Sequence, residues 1–149
     1  VGETDGTIEL TFSDAGSGGG FTHTGTAPLA ADHRRIQVPC VALDTMFADP
    51  NFVVHAIKMD IEGAEAFALR GMRRLLARSP DVFLLMEYSP RMLRAAGSSP
   101  EEAINLLAGL GFRFWTIRDD GSTEAAEPAA LCNTTVALQN LLVSRTERS

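Results

Sequence analysis

The sequence changes its hydrophobic period within HAIKMDIEGAEAFALRGMRRLL, residues 55–76. The residues before Asp60 complete an apolar run, FVVHAIKM (residues 52–59), which is typical of a parallel strand covered on both faces. After Gly63 the apolar residues recur every three or four positions, as they do on the buried face of a helix. A strand that leads directly into a helix predicts a βα unit of an α/β domain. The predicted helical face consists of Ala64, Phe67, Ala68, Gly71, Met72, Leu75 and Leu76.

Further strands follow this unit. Ser79-Pro80 interrupts the helix, and VFLLMEY (residues 82–88) predicts a second buried strand. FRFWTIRDD (residues 112–120) predicts a third strand. The segment before NLLVSR (residues 140–145) has only weak helical character, whereas a parallel crossover usually needs a solid helix. We therefore expect the last strand to return antiparallel to the others.

A capping box marks the helix between the second and third predicted strands. Ser99 occupies the N-cap position, Pro100 the first helical position and Glu102 the third. Gly111 follows the last apolar residues and is expected to end this helix.

The first 50 residues predict less regular structure. Asp5-Gly6 is a hairpin-type turn signal, and alternating apolar residues predict a half-buried strand over residues 7–13. RRIQVPCVALDTMF (residues 34–47) predicts a short strand broken by Pro39, followed by one helical turn at residues 43–47.

A glycine-rich stretch, residues 13–33, separates these two strands. It lacks the GK[ST] ending of a phosphate-binding loop. Two interpretations remain open. The stretch is either a mobile surface loop or a lid that covers substrate and carries His23.

Composition limits the class of protein. The chain has 149 residues, 45% of them apolar, and a net charge of −6, which together describe one soluble globular domain and argue against a nucleic-acid or anionic-membrane partner. No apolar stretch approaches the roughly 20 residues of a membrane helix, and the N-terminus lacks a signal pattern. Cys40 and Cys132 stand far apart and are expected to be buried thiols in the cytoplasm.

Two acids follow successive predicted strands. Asp60 stands at the carboxyl end of the first buried strand and Glu87 at the carboxyl end of the second. In open α/β sheets, ligands bind outside the carboxyl ends of the strands. Because sequential strands of a βαβ unit usually lie close together, we expect Asp60 and Glu87 to face one crevice.

The other acids of this stretch allow two interpretations. Glu62 and Glu65 stand in the first helical turn, where the helix dipole favours acids without any function, and their spacing predicts surface positions. Alternatively, they support the site at Asp60. Gly63 between them suits a tight turn or the close approach of another backbone.

Two basic side chains lie near Asp60. Lys58 shares a strand face with Asp60 and is either its pairing partner, keeping it ionised, or a lysine that extends to solvent. His55 is predicted to point to the opposite face as a structural histidine.

The region from residue 57 to residue 90 resembles the FkbM-type S-adenosylmethionine-dependent methyltransferases. In that family a strand ends in Asp-x-Glu-Gly-x-Glu and leads into a helix with Leu-x-Gly, and the next strand ends in Glu. VGETDGTIEL, VPCVALDTMF and NLLVSR resemble the family's third-strand exit with hairpin, its segment before the acidic motif and its closing strand. The matching residues of the motif are Asp60, Glu62, Gly63, Glu65, Leu69, Gly71 and Glu87.

The resemblance implies an α/β fold, the C-terminal part of a Rossmann-like class I methyltransferase sheet, mostly parallel with an antiparallel final strand. Residues 1–149 would form one partial domain, with a hairpin, glycine-rich loop and connecting segment in residues 1–50 and a βαβαββ core in residues 51–149. The family's upstream glycine-rich turn and second-strand acid are not in this sequence. Of the residues that bind S-adenosylmethionine, the resemblance leaves Gly2, Glu3 and Asp60.

The implied chemistry is methyl transfer to a hydroxyl of a sugar, glycolipid or polyketide-like acceptor. Asp60 would act as general base or orient the hydroxyl, with Glu62 as its helper and with Glu65 and Glu87 around the acceptor. Paired carboxylates also suit a divalent metal, which the sequence does not establish.

Two other classes of function stay open. Without the upstream cofactor motifs, the chain could be a non-catalytic α/β interaction module or a remnant that lacks donor binding. Such a piece would associate with itself or dock onto the missing N-terminal part through an exposed strand edge. The acids could also form a simple metal-binding module.

Overall fold

The computed structural model describes residues 1–13, 20–22 and 33–146, which form two β-sheets and six helices. His23 and the rest of residues 14–19 and 23–32 lie outside the described residues. Within these ranges, no helix has the length and apolar character needed to cross a bilayer. The strands are β1 (Gly6–Ser13), β2 (Gly20–Thr22), β3 (His33–Cys40), β4 (Ala56–Met59), β5 (Phe83–Tyr88), β6 (Arg113–Ile117), β7 (Thr123–Ala126) and β8 (Gln139–Ser144). The helices are α1 (Leu43–Met46), α2 (Glu65–Arg70), α3 (Arg73–Ala77), α4 (Pro90–Ala95), α5 (Pro100–Gly109) and α6 (Pro128–Cys132).

A three-stranded antiparallel sheet, in the order β2-β1-β3, precedes the rest of the fold. It confirms the strand predicted over residues 7–13 and places β2 within the stretch predicted as a loop. The predicted break at Pro39 is wrong, because β3 is an edge strand, where a proline costs no ladder hydrogen bond. The predicted Asp5-Gly6 hairpin is also wrong. Gly6 begins β1, and Asp5 accepts a 2.8 Å hydrogen bond from the backbone N–H of Ala42.

The larger sheet has five strands in the order β4-β5-β8-β6-β7. Only β4 and β5 pair in parallel, while β8 is antiparallel to both β5 and β6, and β7 is antiparallel to β6. The antiparallel final strand is therefore confirmed. The sheet as a whole is mixed rather than mostly parallel, because β8 is inserted between two strands and β7 forms a hairpin with β6.

One face of the larger sheet carries the hydrophobic core. Leu84, Met86 and Tyr88 of β5 are fully buried in one cluster with apolar side chains of α2 to α6, such as Leu69 and Leu107. The opposite face of β5 is partly open, with Leu85 42% exposed. The prediction that β4 and β5 are covered on both faces is wrong, because these helices cover only one face and β4 is an edge strand.

The helix predicted from Ala64 is divided into α2 and α3 at Gly71. A Cβ atom at position 71 would collide with the carbonyl oxygen of Gly2, so this contact requires glycine. Asp44 then caps α3 from a distant part of the chain, since its carboxylate accepts the backbone N–H groups of Arg74 at 3.0 Å and Leu75 at 2.7 Å. Sequence periodicity carries no signal for such a cap.

The predicted caps of α5 are confirmed. The hydroxyl oxygen of Ser99 accepts the backbone N–H of Glu102 at 3.1 Å, and Pro100 is the first helical residue. At the other end, Gly111 adopts a φ of +82°, the left-handed conformation of a helix C-terminus.

Arg145 ties the ends of two helices to the end of β8. Its guanidinium donates to the carbonyl oxygens of Leu76 at 3.0 Å, Ser79 at 2.9 Å and Leu110 at 2.9 Å. The same group lies over the ring of Phe112, 4.0 Å from its centroid. The cation at the C-termini of α3 and α5 complements the helix dipoles, and it adds a second donor to the carbonyls of Leu76 and Ser79, which also accept backbone N–H groups.

Replacing Arg145 with Met should lower the free energy of unfolding by about 2–3 kcal/mol, because three hydrogen bonds to a charged group and the contact with Phe112 are lost. Urea denaturation would measure the change. The matched variant Arg113→Met removes an exposed arginine of β6 and should change stability by less than about 0.5 kcal/mol. Equal effects of the two variants would contradict the role of Arg145.

Candidate functional site

Three of the predicted acids meet at one place. Oxygen atoms of Asp60, Glu62 and Glu87 all lie within 4.8 Å of one another. The parallel register pairs Met59 with Met86, so the residues that follow, Asp60 and Glu87, are neighbours. The expectation that these two acids face one crevice is confirmed, and Glu62 joins them. We refer to the three carboxylates as the acidic trio.

Two members of the acidic trio, Asp60 and Glu87, line a cleft of about 240 Å³, and the carboxylate of Glu62 lies beside theirs. This cleft lies at the carboxyl ends of β4, β5 and β6, beside the beginning of β8, where ligands of α/β sheets usually bind. Charged, amide and apolar side chains all line it. Its lining residues are Lys58, Asp60, Leu85, Met86, Glu87, Ile117, Asn140 and Leu141.

Lys58 is the pairing partner of Asp60. The Nζ atom of Lys58 donates a 2.7 Å hydrogen bond to Oδ2 of Asp60. This hydrogen bond is the main cause that lowers the pKa of Asp60, and it raises the pKa of Lys58. Both side chains reach solvent, so salt weakens their attraction.

Glu87 has the opposite electrostatic character. Burial raises the pKa of Glu87, and the negative charges of Asp60 and Glu62 raise it further. Two neighbouring carboxyl groups whose pKa values are moved apart can divide the tasks of accepting and holding a proton. Asp60 is thus the stronger candidate for the ionised group at neutral pH.

A left-handed turn places Glu62 in the acidic trio. Glu62 has a φ of 56°, which strains any residue with a Cβ atom, and Gly63 follows with a φ of 97°. A Cβ atom at position 63 would collide with the carbonyl oxygen of Met92 in α4. Both expectations for Gly63, a tight turn and the close approach of another backbone, are confirmed.

Glu65 lies inside the turn rather than in the acidic trio. Its side chain is only 4% exposed, and its carboxylate accepts the backbone N–H of Gly63 at 3.2 Å. Burial raises the pKa of Glu65. The predicted surface position is wrong, because the left-handed turn folds the chain so that this carboxylate satisfies a buried N–H group. The structure therefore assigns Glu65 a positioning contact, and its predicted place around an acceptor stays a prediction.

Gly2 and Glu3 lie elsewhere. Gly2 donates its N–H to the carbonyl of Val41 at 3.1 Å, and Glu3 forms a 2.8 Å ion pair with Arg70, at the opposite end of α2 from the turn. These contacts give both residues a structural role within the fold. Their predicted contact with a cofactor stays a prediction.

His55 is exposed just before β4, so its predicted place as a structural histidine inside the fold is wrong. Its backbone carbonyl, rather than its ring, has a structural contact, accepting the N–H of Phe83 at 3.1 Å.

Sequence reasoning missed Ile117 and Asn140, which line the cleft from β6 and β8. These strands are distant in sequence from Asp60, and only the strand order brings them to it. The polar Asn140 at the start of an otherwise apolar strand was the one available signal.

The acidic trio could hold a hard divalent cation, because such ions prefer several carboxylate oxygens. Lys58 already binds one oxygen of Asp60 and would compete with the ion. The same carboxylates could instead accept hydrogen bonds from hydroxyl groups.

Replacing Lys58 with Met should raise the pKa of Asp60, because the hydrogen bond that lowers it is lost. Carbon-13 NMR of the side-chain carboxyl groups across pH would follow the change. Lys58→Arg, which keeps a cationic donor, should keep the pKa of Asp60 low. An unchanged pKa in Lys58→Met would show that another group keeps Asp60 ionised.

Two neighbouring substitutions should have opposite effects on stability. Glu62→Gly should raise the free energy of unfolding by about 1 kcal/mol, because it relieves the left-handed strain. Gly63→Ala should lower it by about 2 kcal/mol, because the added Cβ atom meets the backbone of α4.

Thermal and urea unfolding would measure both effects, and Glu62→Gln, which keeps the strain and removes the charge, is the control. A loss of stability in Glu62→Gly would contradict the assignment of strain to this turn.

A family model described as the Methyltransferase FkbM domain matches residues 2–114. The matched range covers more than half of the chain and contains all three residues of the acidic trio. Comparisons with curated proteins and with solved structures find no match.

Proposed function

Because the chain belongs to the FkbM methyltransferase domain family, we propose that it takes part in S-adenosylmethionine-dependent O-methylation. The acceptor would be a hydroxyl group of a sugar, glycolipid or polyketide-like molecule. The observation that supports this proposal most is the acidic trio at the cleft. There, one carboxylate is kept ionised by Lys58 while the pKa of its neighbour is raised.

Asp60 is the proposed general base. S-adenosylmethionine would supply an electrophilic methyl group, and the acceptor oxygen must lose its proton as the new carbon–oxygen bond forms. Asp60 is exposed at the cleft, accepts a hydrogen bond from Lys58 through Oδ2 and is also hydrogen-bonded to the side chain of Glu87. Its carboxylate is the candidate to accept the hydroxyl proton. Lys58 acts as a positioning residue, because it holds the carboxylate in place and ionised.

Glu62 and Glu87 would orient the acceptor. Their carboxylates lie beside Asp60 and can accept hydrogen bonds from neighbouring hydroxyl groups, as a sugar provides. Holding the reacting oxygen in line with the methyl group is a large part of catalysis in such transfers. The apolar residues that line the cleft, including Leu85 and Ile117, suit the carbon face of a sugar ring or an acyl chain.

The fold supports a further part of the proposal. A parallel βαβ unit with its crevice at the carboxyl ends of β4 and β5, together with an antiparallel final strand, agrees with the C-terminal part of a Rossmann-like class I sheet. Gly2 and Glu3 are the residues we propose near the donor. We also propose a cytoplasmic location, since both cysteines are free and buried, as in a reducing compartment.

A divalent cation bound by the acidic trio is a second candidate for orienting the acceptor. The separation of the three oxygens favours it. Lys58 opposes it, because its ammonium group already compensates the charge of Asp60.

Replacing Asp60 with Asn should lower the rate of methyl transfer by about 100-fold or more, the usual contribution of a general base. Transfer from radiolabelled S-adenosylmethionine to a panel of hydroxylated sugars, glycolipids and polyketides would measure it. Because Asp60 is also a predicted donor-binding residue, calorimetric titration with the donor would separate loss of the base from loss of donor binding. Asp120→Asn, an exposed carboxylate in the β6–β7 turn, is the control and should leave the rate unchanged.

Full activity of Asp60→Asn would contradict the proposed base. A rate abolished by a chelator and restored by Mg²⁺ would favour the cation.

A further inference from the structure

A second and larger cavity, about 470 Å³, lies at the same edge of the sheet as the acidic trio. Its walls are α4, which follows β5 directly, the start of α5, and the segment from the end of α6 into the loop before β8. The function proposed above does not use it. Its polar lining side chains are those of Arg91, Arg94, Glu101, Asn133, Thr134 and Thr135. We refer to this cavity as the arginine pocket.

Hydrogen bonds hold the two walls of the arginine pocket together. The hydroxyl of Ser89 donates to the carbonyl of Ala137 at 2.7 Å and accepts the N–H of Met92. The hydroxyl of Tyr88 donates to the carbonyl of Leu131 at 3.0 Å. The loop is thus attached to the end of β5 and to α4, so the pocket is built by the fold rather than by loosely placed side chains.

The arginine pocket is rich in cationic and neutral donors. Within the described ranges, no hydrogen bond or ion pair engages the guanidinium of Arg91. Arg94 faces one negative charge, Glu101, whose carboxylate also binds the backbone and Ser99 at the start of α5. The pocket therefore contains two positively charged guanidinium groups and one carboxylate, and that carboxylate already has other hydrogen-bond partners. This balance leaves a net positive charge in the pocket.

The hydroxyl groups of the loop add further donors. Thr134 accepts the N–H of Val136 through its oxygen, which leaves its O–H free to donate, and Thr135 lies beside it. Guanidinium groups next to hydroxyl donors are the groups that bind carboxylate and phosphate in proteins.

We propose that the arginine pocket binds a carboxylate or phosphate group of the methyl acceptor. This proposal rests on the proposed function and narrows it to an anionic acceptor. Arg91 follows Glu87 by four residues, so their Cα atoms are separated by at most roughly 14 Å. We infer that a hydroxyl at the acidic trio and an acid group at the arginine pocket belong to one molecule that passes around the end of β5, with at least the size of an acidic disaccharide or a phosphorylated glycolipid.

The test is an NMR titration of the arginine Nε–H groups in the absence of methyl donor. The probes are inorganic phosphate, glucuronate and glucose 6-phosphate, with glucose as the neutral counterpart. We expect the three anions to shift the resonances of Arg91 and Arg94, and glucose to leave them unchanged. The glucuronate and phosphate arms distinguish a carboxylate from a phosphate as the recognised group.

The double variant Arg91→Gln/Arg94→Gln should weaken binding of the effective anion by about tenfold or more. Arg73→Gln removes an exposed arginine of α3 and is the matched control, with no expected change. Thermal unfolding would confirm that the double variant is folded. Anions that leave Arg91 and Arg94 unshifted, or that bind the double variant as tightly as the original chain, would overturn the proposal, as would equal binding of glucose.

The same titration with Asp60→Asn separates this proposal from the proposed function. Anion binding should survive in that variant, because the arginine pocket does not include Asp60. Anion binding without methyl transfer to any acceptor would then refute only the proposed function. Methyl transfer to neutral acceptors without anion binding would refute only the arginine pocket.

Discussion

The left-handed turn at Glu62 and Gly63 is the constraint on which the site depends. Two successive positive φ angles reverse the chain between β4 and α2 within a few residues. The turn is tolerated because Gly63 has no Cβ atom to meet Met92, and because Glu65 satisfies the buried N–H of Gly63. As a result, Glu65 is buried as a structural acceptor, while the carboxylate of Glu62 lies next to those of Asp60 and Glu87.

The edge of the larger sheet at the carboxyl end of β5 has two regions of opposite charge, the acidic trio and the arginine pocket. Three carboxylates lie within 4.8 Å at the ends of β4 and β5, where Lys58 compensates part of their charge. Arg91 and Arg94 stand a few residues beyond, in a separate cavity. Both regions are positioned by the end of β5, since Glu87 belongs to one and Ser89 closes the wall of the other. A single strand end thus positions both the acidic trio and the arginine pocket.

The sequence predicted much of the central βα unit and its neighbours. The apolar run before Asp60, the change of period after Gly63 and the capping box at Ser99 each depend on local preferences, which near neighbours in the chain determine. The adjacency of Asp60 and Glu87 followed from the parallel βαβ rule. By contrast, Pro39 is tolerated within β3 because β3 is an edge strand. The helix break at Gly71 depends on its contact with Gly2. No local sequence pattern predicts either feature.

The sequence by itself determined the family, the βα unit with its acidic motif and the antiparallel return of the last strand. Those features are set by side-chain period, turn residues and motif spacing, which are properties of neighbouring residues. Only the tertiary structure decided that Glu65 is buried while Glu62 lies beside Asp60 and Glu87, that helices cover one face of the sheet, and that Arg91 lies beside the loop before β8. The physical reason is that the burial and charge environment of a side chain arise from contacts between segments that are distant in the chain. The strand order creates those contacts, and no single segment determines the strand order.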